Sequence, residues 1–149
     1  MPGPYIIDDV TLLQTLIGKD AVVDDADIGS SIQCVFLVKK YSDCGAASDW
    51  KQGQLVSEAV ASCSSKAQEG MERGTAIATF KDGKYPNHTQ GNHACFFIEA
   101  QDDGSGFVVL EQHVQPFPDK IQMRVIKYKG KPEGGKIQSD NGDCYSVIL

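Results

Sequence analysis

Cys34 is the residue of this sequence whose type and position best suit nucleophilic chemistry. It lies near the start of the segment 32–41, whose apolar residues cover nearly every side of a helix, a pattern typical of a buried helix. A thiol in the first turn of a helix lies among unpaired backbone N–H groups at the positive end of the helix dipole, and both lower its pKa. The position therefore predicts a thiolate nucleophile. The alternative is a small buried core residue, a common place for a free cysteine.

A cysteine nucleophile needs a base, and His93 is the histidine with the best-defined position. It begins the predicted strand 93–100, which fixes it at one end of a sheet. The next predicted strand, 107–114, carries a carboxylate, Glu111, after a long apolar run. Because antiparallel neighbours fold back on their own starts, the turn at 102–106 brings Glu111 beside His93. Glu111 is therefore predicted to orient the imidazole.

Two further residues compete for that orienting role. Strand alternation places His113 on the same face as Glu111, and Gln112 lies between them. The pattern leaves open which of these three side chains holds the imidazole of His93. Taken alone, His113 is more typical of a surface residue than of a catalytic one.

The chain has five cysteines, an odd number, so at least one thiol has no disulfide partner within the chain. They form no C-x-x-C pair and no Cys/His cluster, so we expect no structural zinc site, no other metal and no cofactor. With Cys34 as the free thiol, proximity in sequence and plausible strand neighbours favour the bridges Cys44–Cys63 and Cys95–Cys144. Two disulfide bridges would be typical of a protein in an oxidising compartment. The alternative is a protein in a reducing compartment whose cysteines are buried as free thiols.

The elements that must position these residues change in kind along the chain. Before Gly74 the pattern favours helices, at 10–17, at 32–41 and, more weakly, at 55–63. After Gly74 it favours strands separated by glycine-containing turns, at 75–81, 93–100, 107–114, 121–128 and 144–149. This segregation predicts an α+β fold, with N-terminal helices packed on one face of a C-terminal antiparallel sheet of about five strands.

The composition limits the classes of protein to which the chain can belong. Its 149 residues are enough for one core, so residues 1–149 are predicted as a single domain. The net charge is −6, and no basic cluster is longer than Lys39 and Lys40, which argues against nucleic acid as a partner. No apolar run approaches the roughly 20 residues that cross a bilayer, so no membrane is expected. Nothing in the pattern is typical of a dimer interface, and we expect a monomer.

The order of these motifs resembles that of papain-like cysteine amidases of the CHAP and NlpC types. Gln33 and Cys34 begin an apolar helix, the triplet 91–93 begins a strand, and Glu111 and Gln112 end the next strand. A closer likeness, to small single-domain bacterial proteins of this type proposed to be wall-degrading toxins, is carried by the segments 48–53, 74–80, 83–86 and 91–94. The resemblance covers most of the chain from Gln33 onward.

The resemblance implies that Cys34 attacks an amide carbonyl in the peptide of peptidoglycan, through a thioester and without a cofactor. It also implies that His93 takes and returns the proton and that Glu111 holds the imidazole. Such enzymes often carry Asn two residues after the glutamate, where this chain has His113. Their oxyanion is held by the backbone N–H of the nucleophile and a second donor upstream. The sequence does not identify that donor, although Gln33 is adjacent to Cys34.

We therefore expect peptidoglycan peptide as the substrate and an immunity or inhibitor protein as a partner. The place of action is expected outside the cytoplasm, reached by secretion or by delivery into a target periplasm. One alternative is a cysteine hydrolase or acyltransferase acting on another amide. Another is a non-catalytic wall-binding or toxin-neutralising module in which Cys34 is merely buried.

Overall fold

A computed structural model of the protein describes residues 4–23, 33–61, 71–86, 92–115, 117–130 and 138–149. In these parts of the chain, six strands form one antiparallel sheet in the order β1-β6-β2-β3-β4-β5. The strands are β1 (Gln52–Leu55), β2 (Ala76–Thr79), β3 (Ala94–Ala100), β4 (Gly106–Glu111), β5 (Gln122–Lys127) and β6 (Tyr145–Ile148). The α+β class predicted from the sequence is confirmed.

In the part of the chain that the structure describes, three short α-helices accompany the sheet: α1 (Leu12–Thr15), α2 (Val35–Tyr41) and α3 (Val56–Ala61). Asp9 begins the turn before α1, where its carboxylate accepts hydrogen bonds from the backbone N–H and the hydroxyl of Thr11. Three 3₁₀ helices complete the description, at Ala47–Asp49, Gln138–Asp140 and Gly142–Cys144. No helix within the described ranges is long and apolar enough to cross a membrane.

The core has two layers because both faces of the central strands are buried. Along β3, Phe96 belongs to the cluster that includes the apolar residues of α2, whereas Phe97 belongs to the cluster that includes Val56 of α3. The sequence pattern predicted helices on one face of the sheet, and the structure differs because α3 packs on the other face. Because β3 is buried on both faces, it is held firmly, and it gives His93, the residue directly before it, a fixed position.

The strand that the sequence analysis did not predict is β1. Its residues, Gln-Gly-Gln-Leu, have low strand propensity, so no pattern marks them. It lies at the edge of the sheet and pairs with β6, and its register is irregular between Gln52 and Leu55. The neighbouring Lys51 exchanges two backbone hydrogen bonds with Leu149, of 2.8 and 2.9 Å. Long-range pairing, rather than local preference, therefore makes this segment a strand.

The predicted bridge Cys95–Cys144 is wrong, because both residues are free, buried thiols. Cys95 lies on β3 and Cys144 directly precedes β6, but β2 lies between these two strands. Ile77 of β2 pairs with Cys95 on one side and with Val147 of β6 on the other. Two strand spacings amount to roughly 9.5 Å. A disulfide needs Cα atoms within about 4.4–6.8 Å of each other.

The predicted bridge Cys44–Cys63 is also wrong. Cys44 is a free, buried thiol that donates a hydrogen bond of 3.5 Å to the carbonyl of Val38 at the end of α2. Cys63 itself lies outside the described residues. Proximity in sequence therefore gave no information about pairing. Cys44, Cys95 and Cys144 are therefore small buried side chains with free thiols.

Candidate active site

Cys34 directly precedes α2 and is 9% exposed. The helix that follows it buries four consecutive apolar residues, Val35–Val38, which anchor it against β3. Lys39 and Lys40 lie in the last turn, where positive charge complements the helix dipole. The buried helix thus presents the thiol at a fixed position near the start of β3.

His93 lies immediately before β3 and is buried. Its backbone N–H donates a hydrogen bond of 3.0 Å to the hydroxyl of Thr79, and its carbonyl accepts one of 3.0 Å from the N–H of Thr79. These two contacts tie His93 to the end of β2, although it lies just beyond the paired strand. The backbone of His93 is therefore held by the sheet.

Glu111 is the last residue of β4, and its side chain is completely buried. Its Oε1 atom lies 2.8 Å from Nε2 of His93. Arg124 of β5 approaches the same carboxylate, with Nε donating to Oε2 at 2.6 Å and Nη2 donating to Oε1 at 3.0 Å. The structure thus brings Glu111 to His93, the first of the three candidates that the sequence left open.

Cys34 and His93 are joined by a hydrogen bond that shifts both pKa values. Burial raises the pKa of Cys34, but the hydrogen bond and the charge of His93 outweigh it, so the pKa is lowered. Burial lowers the pKa of His93, whereas its contacts with Cys34 and Glu111 raise it to about 9. Since Nε2 of His93 contacts Glu111, Nδ1 is the nitrogen left for the sulfur. Both shifts favour the charged form of the pair, a thiolate and an imidazolium, over the neutral form.

Tyr85 is the second side chain on the Cys34 sulfur, with its hydroxyl 3.6 Å from Sγ. Asn92 donates a hydrogen bond of 3.1 Å from Nδ2 to the same hydroxyl. Because the Tyr85 oxygen already accepts from Asn92, its own proton is free to be donated to the thiolate. The ring of Tyr85 packs edge-on against Trp50, with centroids 5.1 Å apart. Trp50 in turn donates to the carbonyl of Cys44 at 2.9 Å, so the contact is well supported.

Gln112 is fully buried but does not contact His93. Its Oε1 atom accepts from the N–H of Val22 at 2.7 Å, and Nε2 donates to the carbonyls of Val22 at 2.9 Å and Gln33 at 2.7 Å. It therefore fastens the backbone that leads into Cys34. This geometry gives Gln112 no direct part in orienting the imidazole of His93.

His113 and Gln33 are both exposed. Since β4 ends at Glu111, strand alternation does not continue to His113, which has a φ of 65°. The expectation that His113 shares a face with Glu111 was therefore wrong. Gln33 lies beside Cys34, and its carbonyl accepts the hydrogen bond from Gln112.

Arg124 and Tyr85 were not predicted from the sequence. A partial signal exists for Arg124, since β4 and β5 pair regularly and Glu111 lies opposite Gln122, two residues from Arg124. Such diagonal cross-strand neighbours are within reach of long side chains. Tyr85 follows a turn, and nothing local indicates that it meets Cys34. In the described part of the chain, no three His, Cys, Asp or Glu side chains are grouped closely enough to hold a metal ion.

A family model described as "Dae2: Domesticated amidase effector 2" matches residues 14–148. This chain belongs to the Dae2 family. It is 40% identical over 137 residues to the "Type VI secretion amidase effector 2 protein" of Salmonella typhi, which covers 86% of this chain and 92% of that protein. The solved structure of "Type 6 secretion amidase effector 2 (Tae2)" matches with a TM-score of 0.72 and 30% identity, over 98% of this chain and 94% of Tae2.

The Dae2 match includes Cys34, His93 and Glu111, together with both residues that the sequence analysis missed. The papain-like fold expected from the sequence is shared with Tae2. The resemblance to amidases is confirmed by the family, which is named for amidase effectors. Dae2 is a narrower assignment than the CHAP and NlpC types, and the sequence resemblance did not single it out.

Proposed function

We propose that this Dae2 protein is a cysteine amidase that hydrolyses an amide bond in the peptide of peptidoglycan. The observation that carries the proposal is the contiguous chain of contacts from the Cys34 thiol through His93 to Glu111. A nucleophile, a base and a group that orients the base are the three parts that covalent amide hydrolysis requires. The names of the relatives, both amidase effectors, support an amide as the bond that is cleaved.

In the first half of the proposed reaction, the Cys34 thiolate attacks the amide carbonyl carbon and a carbon–sulfur bond forms. Negative charge moves to the carbonyl oxygen, where the backbone N–H of Cys34 and the hydroxyl of Tyr85 serve as hydrogen-bond donors in this proposal. His93 then gives its proton to the amine nitrogen as the carbon–nitrogen bond breaks. The amine leaves, and the acyl group remains on sulfur as a thioester.

In the second half, water enters the space that the amine has left. The neutral His93 removes a proton from this water, and the resulting hydroxide attacks the thioester carbonyl. The carbon–sulfur bond breaks, which restores the thiolate and releases a carboxylic acid. His93 ends the cycle as an imidazolium, and Glu111 stays ionised throughout because it stabilises that cation and fixes the ring.

Delivery of the enzyme to a wall completes the proposal. A relative 40% identical to this chain is named a type VI secretion effector. We therefore place the activity in the periplasm of a target cell and expect a dedicated immunity protein that covers the cleft around Cys34. The net charge of −6 gives no general attraction to anionic wall polymers, so recognition of the peptide is local to the site.

The test is mass spectrometry of the soluble fragments released from purified peptidoglycan. Wild-type protein is expected to create new amino and carboxyl ends, and the fragment masses identify the bond. Cys34→Ala should release none of them. Cys44→Ala is the matched control, since Cys44 is also buried and free but has a raised pKa caused by burial, and it should release the wild-type fragments.

Two results would contradict the proposal. Identical fragments from wild type and Cys34→Ala would exclude Cys34 as the nucleophile. No fragments from several wall chemotypes would exclude peptidoglycan, and would direct attention to another amide or to a binding role. A pH series of alkylation by iodoacetamide separates these last two, because a binding module has no reason to keep a reactive thiol.

A further inference from the structure

Arg124 makes more polar contacts than its position on an edge strand would suggest. It donates two hydrogen bonds to the Glu111 carboxylate, of 2.6 and 3.0 Å. Its outer side donates to Oδ1 of Asp140 at 3.2 Å and to the carbonyl of Ser139 at 3.1 Å. Only 25% of the side chain is exposed. The guanidinium is therefore fixed on two sides, between a buried carboxylate and a surface one.

With these contacts, a series of side chains with alternating charge runs from the protein surface to the Cys34 sulfur. Its members, from the surface inward, are Asp140, Arg124, Glu111, His93 and Cys34. Asp140 is also paired with Lys129, so the outer end of this series is anchored to the protein. Arg124 and His93 each lie between two acidic groups. Each buried charge therefore has a neighbour of opposite sign, which offsets the cost of burying it.

Among the described residues, the other ionisable groups close to Glu111 carry no charge at neutral pH. Cys95 of β3 and Tyr145 of β6 are both buried, and burial raises the pKa of each well above its ordinary value. Arg124 and His93 are therefore the cations that face the Glu111 carboxylate. Of these two, Arg124 alone is charged at every working pH, because a guanidinium does not lose its proton in proteins.

We propose that Arg124 is a positioning residue of the active site, which keeps Glu111 ionised and aimed at His93 and so acts on Cys34 through both. This inference rests on the proposed cysteine amidase function. Without Arg124, the buried group of Cys34, His93 and Glu111 would carry a net charge of −1. A buried cluster with uncompensated negative charge takes up a proton. If the proton goes to the Cys34 thiolate, the nucleophile is lost. If it goes to Glu111, the carboxylate no longer stabilises the His93 imidazolium.

The test compares Arg124→Gln and Arg124→Lys with the wild-type protein. The first readout is the pH at which iodoacetamide alkylates Cys34 at half its maximal rate, identified by peptide mass. The second is kcat and KM for release of peptidoglycan fragments. Arg124→Gln should move the alkylation midpoint upward by about one pH unit, which makes alkylation below the midpoint about tenfold slower. Its kcat should fall roughly 10²-fold, with KM little changed.

Arg124→Lys separates charge from geometry. Lysine keeps the positive charge but replaces the two-pronged contact by a single flexible one. The alkylation midpoint should therefore return close to that of the wild type, whereas kcat should recover only in part. If Arg124→Gln does not fold, as thermal unfolding would show, Arg124→Lys decides alone. A reduced kcat with unchanged KM supports the proposal, and wild-type kcat overturns it.

Arg73→Gln is the matched control for loss of one positive charge. Arg73 pairs with Glu99 at 3.3 Å, and the two side chains are 45% and 57% exposed. It should behave as the wild type in both readouts, and an Arg124→Gln protein that matches it would refute the role of Arg124. Failure of the wild type to cleave peptidoglycan would overturn the proposed function instead. The alkylation midpoints need no substrate, so they would still test Arg124.

Discussion

At the scale of single residues, four described cysteines share burial but differ in chemistry. Burial raises the pKa of Cys44, Cys95 and Cys144, and no neighbouring cation offsets it sufficiently. Burial acts on Cys34 in the same direction, but the contact with His93 reverses the outcome. Reactivity at this site is therefore a property of the neighbour rather than of the cysteine. We expect alkylation at neutral pH to be selective for Cys34.

The Tyr85 hydroxyl is expected to contribute at the same scale. Tyr85→Phe removes the donor on the sulfur and leaves the ring packed against Trp50. Since that hydrogen bond lowers the pKa of Cys34, the pH midpoint of alkylation should rise. Amide hydrolysis should fall roughly 10²-fold if the hydroxyl also stabilises the oxyanion. Both quantities are measured with iodoacetamide and with fragment release.

Tyr128→Phe is the control for loss of a tyrosine hydroxyl. Tyr128 packs on the second core cluster, and within the described residues its buried hydroxyl has no hydrogen-bond partner. This variant should retain wild-type alkylation and hydrolysis. A Tyr85→Phe protein that does the same would show that the 3.6 Å contact is only a packing contact.

Site residues at the ends of helices and strands could be predicted from the sequence. Site residues that reach the site only through the pairing of distant segments could not. Cys34, His93 and Glu111 each lie at a terminus of a helix or strand, where local patterns are informative. Arg124 reaches Glu111 only because β5 pairs with β4 in one register. Tyr85 reaches Cys34 through a contact between residues 51 positions apart in the chain. Neither relationship is encoded in a short stretch of sequence.

At the scale of elements, Gln112 links β4 to the backbone on both sides of the segment 23–32. Its side chain contacts Val22 and Gln33 and makes three hydrogen bonds in the interior. The residue that follows Glu111 thus fixes the backbone of Val22 and of Gln33, which directly precedes Cys34. Two adjacent residues at the end of β4 thus serve the two parts of the site: Glu111 contacts His93, and Gln112 holds the backbone next to Cys34.

Replacing Gln112 with leucine should lower both stability and activity. The change keeps most of the volume but leaves the buried N–H and carbonyl of Val22 without their partner, at about 1 kcal/mol or more for each. The carbonyl of Gln33 still accepts a hydrogen bond from the N–H of Phe36. We therefore expect a loss of roughly 2 kcal/mol in the free energy of unfolding, measured in urea, and a lower kcat. His113→Asn is the control, since His113 is exposed at a positive φ that asparagine tolerates. Equal stability of the two variants would contradict the linking role of Gln112.

At the scale of the whole molecule, the described structure is held by packing on both faces of the sheet. The sequence predicted the α+β class and five of the strands, because alternation and turn residues are local signals. It did not predict β1 or the strand order, since both depend on pairing between distant segments. The prediction of a Cys95–Cys144 bridge failed for the same reason, because β2 lies between the strand that carries Cys95 and the strand that follows Cys144.

Stability should therefore not depend on a reductant. Loss of a native disulfide from a small domain typically costs about 2–5 kcal/mol, which would lower the melting temperature by several degrees. We expect the same Tm with and without a phosphine reductant, and five titratable thiols in denaturant without reduction. A clear fall in Tm on reduction, or fewer thiols, would show that a bridge contributes.

The position of β6 affects the order in which the protein can fold. Of the six described strands it is synthesised last, yet it lies inside the sheet between β1 and β2. Its Tyr145 is fully buried, and the ring lies 6.5 Å from that of His93. Until β6 is inserted, the half of the sheet that carries the base has an open edge. Because such distant contacts form late and slowly, a nascent chain stays inactive until its final strand joins the sheet.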